Sequence, residues 1–186
     1  MSYIDKTLTF EEDKICYEDS GVTLEVMMDW EDEIMKASAN YVCENGGDIL
    51  EIGFGMGISA NHIQANNINS HTIIENHPQI IEKLKVWAQD KPNVTIMEGD
   101  WYDIKDSLST YDGLFYDTWA DDNVNNFTTI LPTLMKSGSR ATWWNNFTDK
   151  DDVFYMSGTI YEVISVNPVS NMYFNSNMYY LPKKEF

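Results

Sequence analysis

Glycines at alternate positions 53, 55 and 57 close the run DILEIGFGMG, and Glu75 follows eighteen residues after the last of them. Missing side chains let a ligand lie against the backbone, and an acid at this interval meets a ribose in nucleoside-binding βαβ units. The pair points to a nucleoside cofactor, whereas the glycines alone would serve equally as a plain strand-to-helix connection. A second chemistry is offered by Asp117, which ends the apolar run GLFYD. A carboxylate buried there costs free energy unless it meets a partner, although it could also simply cap the following helix. A further acid, Glu31, lies in MMDWEDEIM, where Met27, Met28, Ile34 and Met35 read as the buried stripe of a helix with Trp30 and Glu31 at its edge.

The elements that must position these residues alternate from Asp48 onward. Strands are expected at Asp48 to Ile52, His71 to Glu75, Val94 to Glu98, Gly113 to Tyr116 and Arg140 to Trp144. Helices are expected between them near Ile58 to Ala65, Pro78 to Gln89 and Val124 to Met135, with Pro78 placed to open the second. Such alternation means an α/β architecture with a parallel sheet covered on both faces. Tyr161 to Val166 and Met172 to Leu181 flank the turn-prone NPVSN and read as a closing antiparallel hairpin. Before Asp48, TLTF and KICY are expected to pair, followed by a helix from about Leu24 to Asn45 that Gly46 and Gly47 stop. A single domain over 1–186 is the expectation, with 1–45 as an amino-terminal lid and helix segment and 46–186 as a Rossmann-like core.

Ligands of open parallel sheets bind at the carboxyl ends of the strands. The residues there are Gly53 to Gly57, then Glu75 and Asn76, then Gly99, Asp100 and Trp101, then Asp117 and Thr118, then Asn145 and Asn146. With a sulfonium nucleoside, the glycine turn would face the amino-acid part and Glu75 the ribose hydroxyls. Asp100 would take the adenine amino group, and Trp101 would stack on the ring.

The net charge of −18 excludes nucleic acid as a partner, since phosphates demand clustered Lys and Arg, and it would attract a cationic substrate or a basic protein. Solubility explains the acidic surface as well. Cys16 and Cys43 form no CxxC pair and are expected to be reduced, and His62, His71 and His77 have no metal spacing, so no metal is expected. Neither a signal peptide nor an eighteen-residue apolar run is present, so the expectation is a cytoplasmic protein with no membrane partner.

Taken in order, VMMDWEDEIM, ILEIGFGMGI, IIENHP, KPNVTIMEGDW, YDGLFYDT, WWNN and MYYLP resemble the guanidino N-methyltransferases. That family includes guanidinoacetate methyltransferase and the catalytic domain of the protein arginine methyltransferase that modifies the delta nitrogen, and the KPNVTIMEGDW and VMMDWE wording is closer to the latter. The resemblance covers nearly the whole chain from about Tyr3. It implies a Rossmann-like class I S-adenosylmethionine-dependent methyltransferase fold, with a mostly parallel seven-stranded sheet ending in an antiparallel hairpin. It also implies that Glu31 and Asp117 bind a guanidinium, and it places Met27, Met35, Phe54, Gly55, Met56, Gly57, Ile58, Ser59, Glu75, Asn76, Gly99 and Asp100 at the S-adenosylmethionine site. Asn145 joins the acceptor side. The acceptor is then guanidinoacetate, arginine or an arginine-containing protein.

On this reading Glu31 and Asp117 grip the planar fork, orient one nitrogen and accept its proton as the new bond forms. DTWA after the fourth strand disfavours base methylation, while Asp117, Asp121, Asp122 and Asn145 would permit a catechol-type metal site on paper. Aminopropyl transfer to a polyamine is a related alternative. A non-catalytic module binding S-adenosylmethionine or a basic partner is another, though it would have no need of the second acid.

Overall fold

The computed structural model describes residues 2–147 and 154–186. Three short antiparallel strands come first: β1 (Thr9–Phe10), β2 (Lys14–Asp19) and β3 (Val22–Met28). A 3-10 turn at Asp29–Glu31 leads into α1 (Asp32–Cys43). The alternating part follows as β4 (Asp48–Ile52), α2 (Ile58–Gln64), β5 (Ser70–Glu75), α3 (Pro78–Trp87), β6 (Val94–Glu98), α4 (Trp101–Ile104), β7 (Tyr111–Tyr116), α5 (Phe127–Ile130) and β8 (Met135–Trp143). It ends in β9 (Ile160–Ser165) and β10 (Met178–Glu185). Seven strands form one sheet in the order β6-β5-β4-β7-β8-β10-β9; the first five are parallel, and β10 runs antiparallel to both neighbours.

Central strands buried on both faces are mainly apolar: in β4 and β7, Ile49, Leu50, Ile52, Leu114, Phe115 and Tyr116 are all at most 2% exposed, and Glu51 is the one carboxylate buried among them. Each such side chain contributes roughly 1.5–3 kcal/mol of burial. Helix signals behave as the sequence suggests at α3, where Pro78 is the first helical residue and His77 Nδ1 accepts from the Gln79 N–H at 3.3 Å. Gly113, in β7, has a different task. A Cβ there would run into the Val42 carbonyl, so α1 rests directly on the strand backbone.

Three expectations are corrected. The helix expected from Leu24 begins only at Asp32, because Ser20 (φ 54°) and Gly21 (φ 81°) form a left-handed two-residue turn that folds residues 22–28 back onto β2. Met27 and Met28 therefore lie on a strand and not on one helical stripe with Ile34 and Met35. The helix expected over Val124 to Met135 breaks into 3-10 turns at Val124–Asn126 and Leu131–Leu134 around α5; Pro132 has no N–H to give, and Asn and Thr side chains compete for the backbone. Finally, the strand expected from Met172 starts at Met178. Asn171 Oδ1 accepts from the N–H groups of Tyr173 (3.0 Å) and Phe174 (2.7 Å), which curls that segment out of the sheet.

Candidate active site

Register makes the carboxyl ends of the parallel strands level: Ile52 pairs with Ile74 and Tyr116, and Glu75 with Glu98. Residues just beyond them share one edge, and a cleft of about 900 Å³ opens there, its mouth included. The glycine turn forms its floor. Gly53, Gly55 and Gly57 have φ of 93°, 51° and 76°, a region that other residues adopt only with strain. A Cβ at Gly53 would strike the Asp117 carbonyl and one at Gly55 the Met27 sulfur, so the turn fits between β3 and the loop after β7 only because it is bare. Met27 Sδ also accepts from the Met56 N–H at 3.2 Å.

Glu75 ties the turn to the next strand end. Its Oε1 accepts from the N–H groups of Asn76 and His77, both at 2.8 Å, and its Oε2 from that of Phe54 at 3.0 Å. Burial raises its pKa against the pull of those three donors. A carboxylate offers about four lone-pair sites, so acceptor capacity remains for a hydroxyl in the cleft. Ile52, Ile74, Ile80 and Trp101 supply apolar walls beside it. A bare backbone, a carboxylate with spare capacity and flat apolar walls together fit a nucleoside.

At the other end of the cleft stand two acids. Glu31, 3% exposed, is held by the N–H of Met28 (2.8 Å) and the hydroxyl of Tyr173 (2.7 Å), both donating to Oε1. Asp117, partly open to the cleft, is fixed through its backbone, whose N–H donates to Ile52 O at 2.9 Å. Both carboxyls are pushed well above the usual carboxylate range: Glu31 by burial and then by the charge of Asp117, Asp117 by burial and then by the charge of Glu51. Glu51 is itself fully buried in β4, beside His71 Nε2 at 2.9 Å and accepting from the Ser59 hydroxyl. No Lys or Arg lies among the described residues that line the cleft. Two acids sharing such a space titrate as a pair, and no positive charge from the described lining residues offsets them.

Aromatic rings wall the acids in. Trp30 stacks on Tyr173 (6.0 Å between centroids) and Phe174 (5.7 Å), while Trp119 and Trp144 each meet Tyr173 edge-on at 6.2 Å. Burial, followed by Glu31, raises the Tyr173 phenol, which keeps it a donor.

Of the residues singled out in the sequence, Met27, Glu31, Gly53, Phe54, Gly55, Ser59, Glu75, Asn76, Gly99, Trp101 and Asp117 line the cleft. Met35 is fully buried in the core packed against Ile34 and Phe115. Met56, Gly57 and Ile58 continue the turn behind its lining, and Asp100 caps α4, accepting from the Tyr102 N–H at 2.8 Å. Asn145 is 1% exposed and serves the tail, donating from its amide to Tyr180 O (3.1 Å) and accepting from the Phe147 N–H (3.0 Å); its neighbour Asn146 lines the cleft. Sequence reasoning assigned no role to Tyr3, Trp119 or Trp144. For the two tryptophans the signal was present, since each closely follows or ends a parallel strand; for Tyr3 there was none.

Among the described residues, no group of three or more His, Cys, Asp or Glu side chains could hold a metal, Cys16 and Cys43 are free, and no helix is long and apolar enough to cross a membrane. Residues 148–153, between Asn145 and Tyr161, lie outside the described residues.

The family model described as guanidinoacetate N-methyltransferase matches residues 5–142. Protein arginine N-methyltransferase 2 of Yarrowia lipolytica is 35% identical over 151 residues, covering 70% of this chain and 32% of that protein. The protein of the same name from Kluyveromyces lactis is 32% identical over 194 residues, covering 87% and 47%. The chain thus spans 32% and 47% of the length of these two relatives, less than half of either. Among solved structures, precorrin-6y C5,15-methyltransferase from Geobacter metallireducens superposes with a TM-score of 0.61 at 16% identity, covering 81% of this chain and 86% of that one. Spermidine synthase from Thermotoga maritima superposes with a TM-score of 0.64 at 11% identity, covering 95% and 71%. The likeness to these structures is one of fold: the sheet is the seven-stranded, mostly parallel sheet of the Rossmann-like methyltransferases.

Proposed function

Because the chain belongs to the guanidinoacetate N-methyltransferase family, we propose that it transfers a methyl group from S-adenosylmethionine to a guanidino nitrogen. The observation that carries this reading is the Glu31 and Asp117 pair, raised in pKa and opening on a cleft with no Lys or Arg among its described lining residues, whose other end is the glycine turn and Glu75. When bound, S-adenosylmethionine supplies an electrophilic methyl group on a sulfonium centre. The turn from Gly53 to Ser59 would hold its amino-acid end, with Met27 opposite. Glu75 and Asn76 would hold the ribose, and Gly99, Asp100 and Trp101 the base. Met35 supports this wall from the core.

A guanidinium presents five donors in one plane and keeps its proton to a pKa above about 12, so its nitrogens are poor nucleophiles until a proton is taken. With Oε1 of Glu31 already occupied by Met28 and Tyr173, Oε2 is the oxygen left for the fork, and Asp117 meets it from the loop after β7. The pair orients the reacting nitrogen and accepts its proton as the bond forms. Trp119, Trp144 and Tyr173 exclude water and present ring faces to the cation. Residues 1–45 act as a lid on the core formed by 46–186. Arginine, an arginine residue of a protein and guanidinoacetate all satisfy the two carboxylates.

Calorimetric titration of S-adenosylhomocysteine into the protein, followed by guanidinoacetate, arginine and an arginine peptide in turn, tests the assignment. Cofactor binding followed by one acceptor supports it and identifies that acceptor. A folded sample that binds no S-adenosylhomocysteine rules it out.

A further inference from the structure

Asp121 lines the cleft, yet neither the glycine turn nor the acid pair uses it. Its carboxylate collects donors from three places. Oδ2 accepts from Trp101 Nε1 (2.6 Å), from the Tyr116 hydroxyl and, at 3.5 Å, from the Thr118 hydroxyl; Oδ1 accepts from the Asn123 N–H at 2.7 Å. Asn123 extends the connection, donating from its amide to Asp100 Oδ2 at 3.0 Å. Two loops separated by about twenty residues are thereby joined at two points: the loop after β6, with Gly99, Asp100 and Trp101, and the loop after β7, with Asp117, Thr118 and Trp119.

A helix cap would need only the bond to Asn123. The remaining three donors are side chains, one of them on the neighbouring loop, and they converge on a single oxygen. Burial, and next the Asp121 carboxylate, raise the Tyr116 phenol far above its ordinary value, so it remains a donor. The far end of the same loop is equally tied, because the Asp117 N–H bonds Ile52 O and the Asp117 carbonyl abuts Gly53. Between these anchors Ala120 is held at a φ of 51°, a strained position for a residue with a Cβ.

We propose that Asp121 is a positioning residue that couples the cofactor's base site to the acceptor carboxylate, so that a ligand seated against Gly99 and Trp101 orders the loop carrying Asp117 and Trp119. This rests on the cofactor reading above and adds a direction to it: the acceptor site is completed by occupancy of the base site. The energy of such a link is a coupling between two ligand sites, carried by the hydrogen bonds that join the two loops.

Hydrogen exchange of the full chain, with and without saturating S-adenosylhomocysteine, tests the proposal. In the unaltered protein the ligand slows exchange in both 99–102 and 117–123, by about tenfold or more. Asp121→Asn keeps the shape but sets an amide N–H₂ against the indole and phenol donors. Ligand protection then persists at 99–102 and falls below about twofold at 117–123. Tyr116→Phe removes one donor only and gives an intermediate loss; it decides the matter alone if Asp121→Asn does not melt cooperatively. Undiminished protection at 117–123 in these variants, or protection confined to 99–102 in the unaltered protein, overturns the coupling and leaves the cofactor reading standing. No protection anywhere in the unaltered protein overturns the cofactor reading itself, and the coupling with it.

Discussion

The two ends of the cleft are built differently. The end proposed for the cofactor is made of backbone: three left-handed glycines, and one glutamate whose oxygens receive three main-chain N–H groups, all between residues 53 and 77. The end proposed for the acceptor is made of side chains drawn from Glu31, Asp117, Trp144 and Tyr173, the first and last joined by a hydrogen bond across 142 residues of sequence. A site made of backbone tolerates little substitution but forms with the strands themselves. A site made of distant side chains can be retuned one residue at a time, and it exists only when the tail and the amino-terminal hairpin are both docked.

The comparison is broken most severely at the acids. Asp117→Asn preserves shape and removes a charge and a base; turnover in a labelled-methyl assay should fall about 10²- to 10⁴-fold while S-adenosylhomocysteine affinity stays within about threefold. Near-normal turnover would show that Asp117 does not accept the proton. At the backbone end, Glu75→Gln sets a donor against N–H groups, and the calorimetric affinity for S-adenosylhomocysteine should drop by about 10- to 100-fold with turnover at saturating cofactor less affected. A larger loss of turnover than of affinity would erase the division between the two ends.

Proton release sharpens the same division. The acid pair holds a proton above the usual carboxylate range in the free protein, and a guanidinium lowers both pKa values, so acceptor binding near neutral pH should release protons. Its affinity should rise with pH through the elevated titration and be lost below it. Calorimetry in buffers of different ionisation heat reads this directly, and zero release would contradict the pairing. Binding of S-adenosylhomocysteine alone should release none.

Stability should move oppositely to activity at Glu31. Its folded pKa is raised from 4.5 to about 8, so the unfolded chain loses this proton first and the folded state is penalised as pH rises between those values. Glu31→Gln, whose amide oxygen can replace Oε1, should raise the melting temperature at pH 8.5 by a few degrees, corresponding to about 1 kcal/mol, while reducing turnover. A lower melting temperature at that pH would mean that the carboxylate is better satisfied than its burial suggests. The smallest effect is expected from Tyr173→Phe. It removes one donor to Glu31, costing about 1 kcal/mol in transition-state binding, a loss of about tenfold or less in kcat/KM.

What could be read from the sequence follows the same boundary. The run DILEIGFGMG and Glu75 needed only local pattern and spacing, and β4, β5, β6 and β7 lie within two residues of where periodicity put them, whereas β8 starts at Met135, five residues before the expected Arg140. Glu31 stands out only through the family resemblance, because the helical stripe expected to place it at an edge is not there. Its neighbours Met27 and Met28 alternate on a strand, and the Ser20–Gly21 turn that makes that strand was overlooked because the helical spacing of the methionines was equally regular. Which of the tail aromatics reaches Glu31 depends on the tail's path, which Asn171 decides through two short hydrogen bonds that no periodicity records. Asn145 and Asn146 were indistinguishable in sequence, and a single step of the chain sends one inward to Tyr180 and the other to the cleft.

Gly113 lies far from any reacting atom, yet it acts as the spacer of a caliper. One jaw is α1, which carries Glu31 at its start, and the other is β7, which ends at Asp117; they touch where the Val42 carbonyl presses on the bare Gly113 backbone. The span between the two acids is therefore gauged at the opposite end of both elements, by the thickness of one missing methyl group. An alanine at 113 would open the jaws without altering any residue of the cleft, and the grip on a flat cation would slacken from a distance.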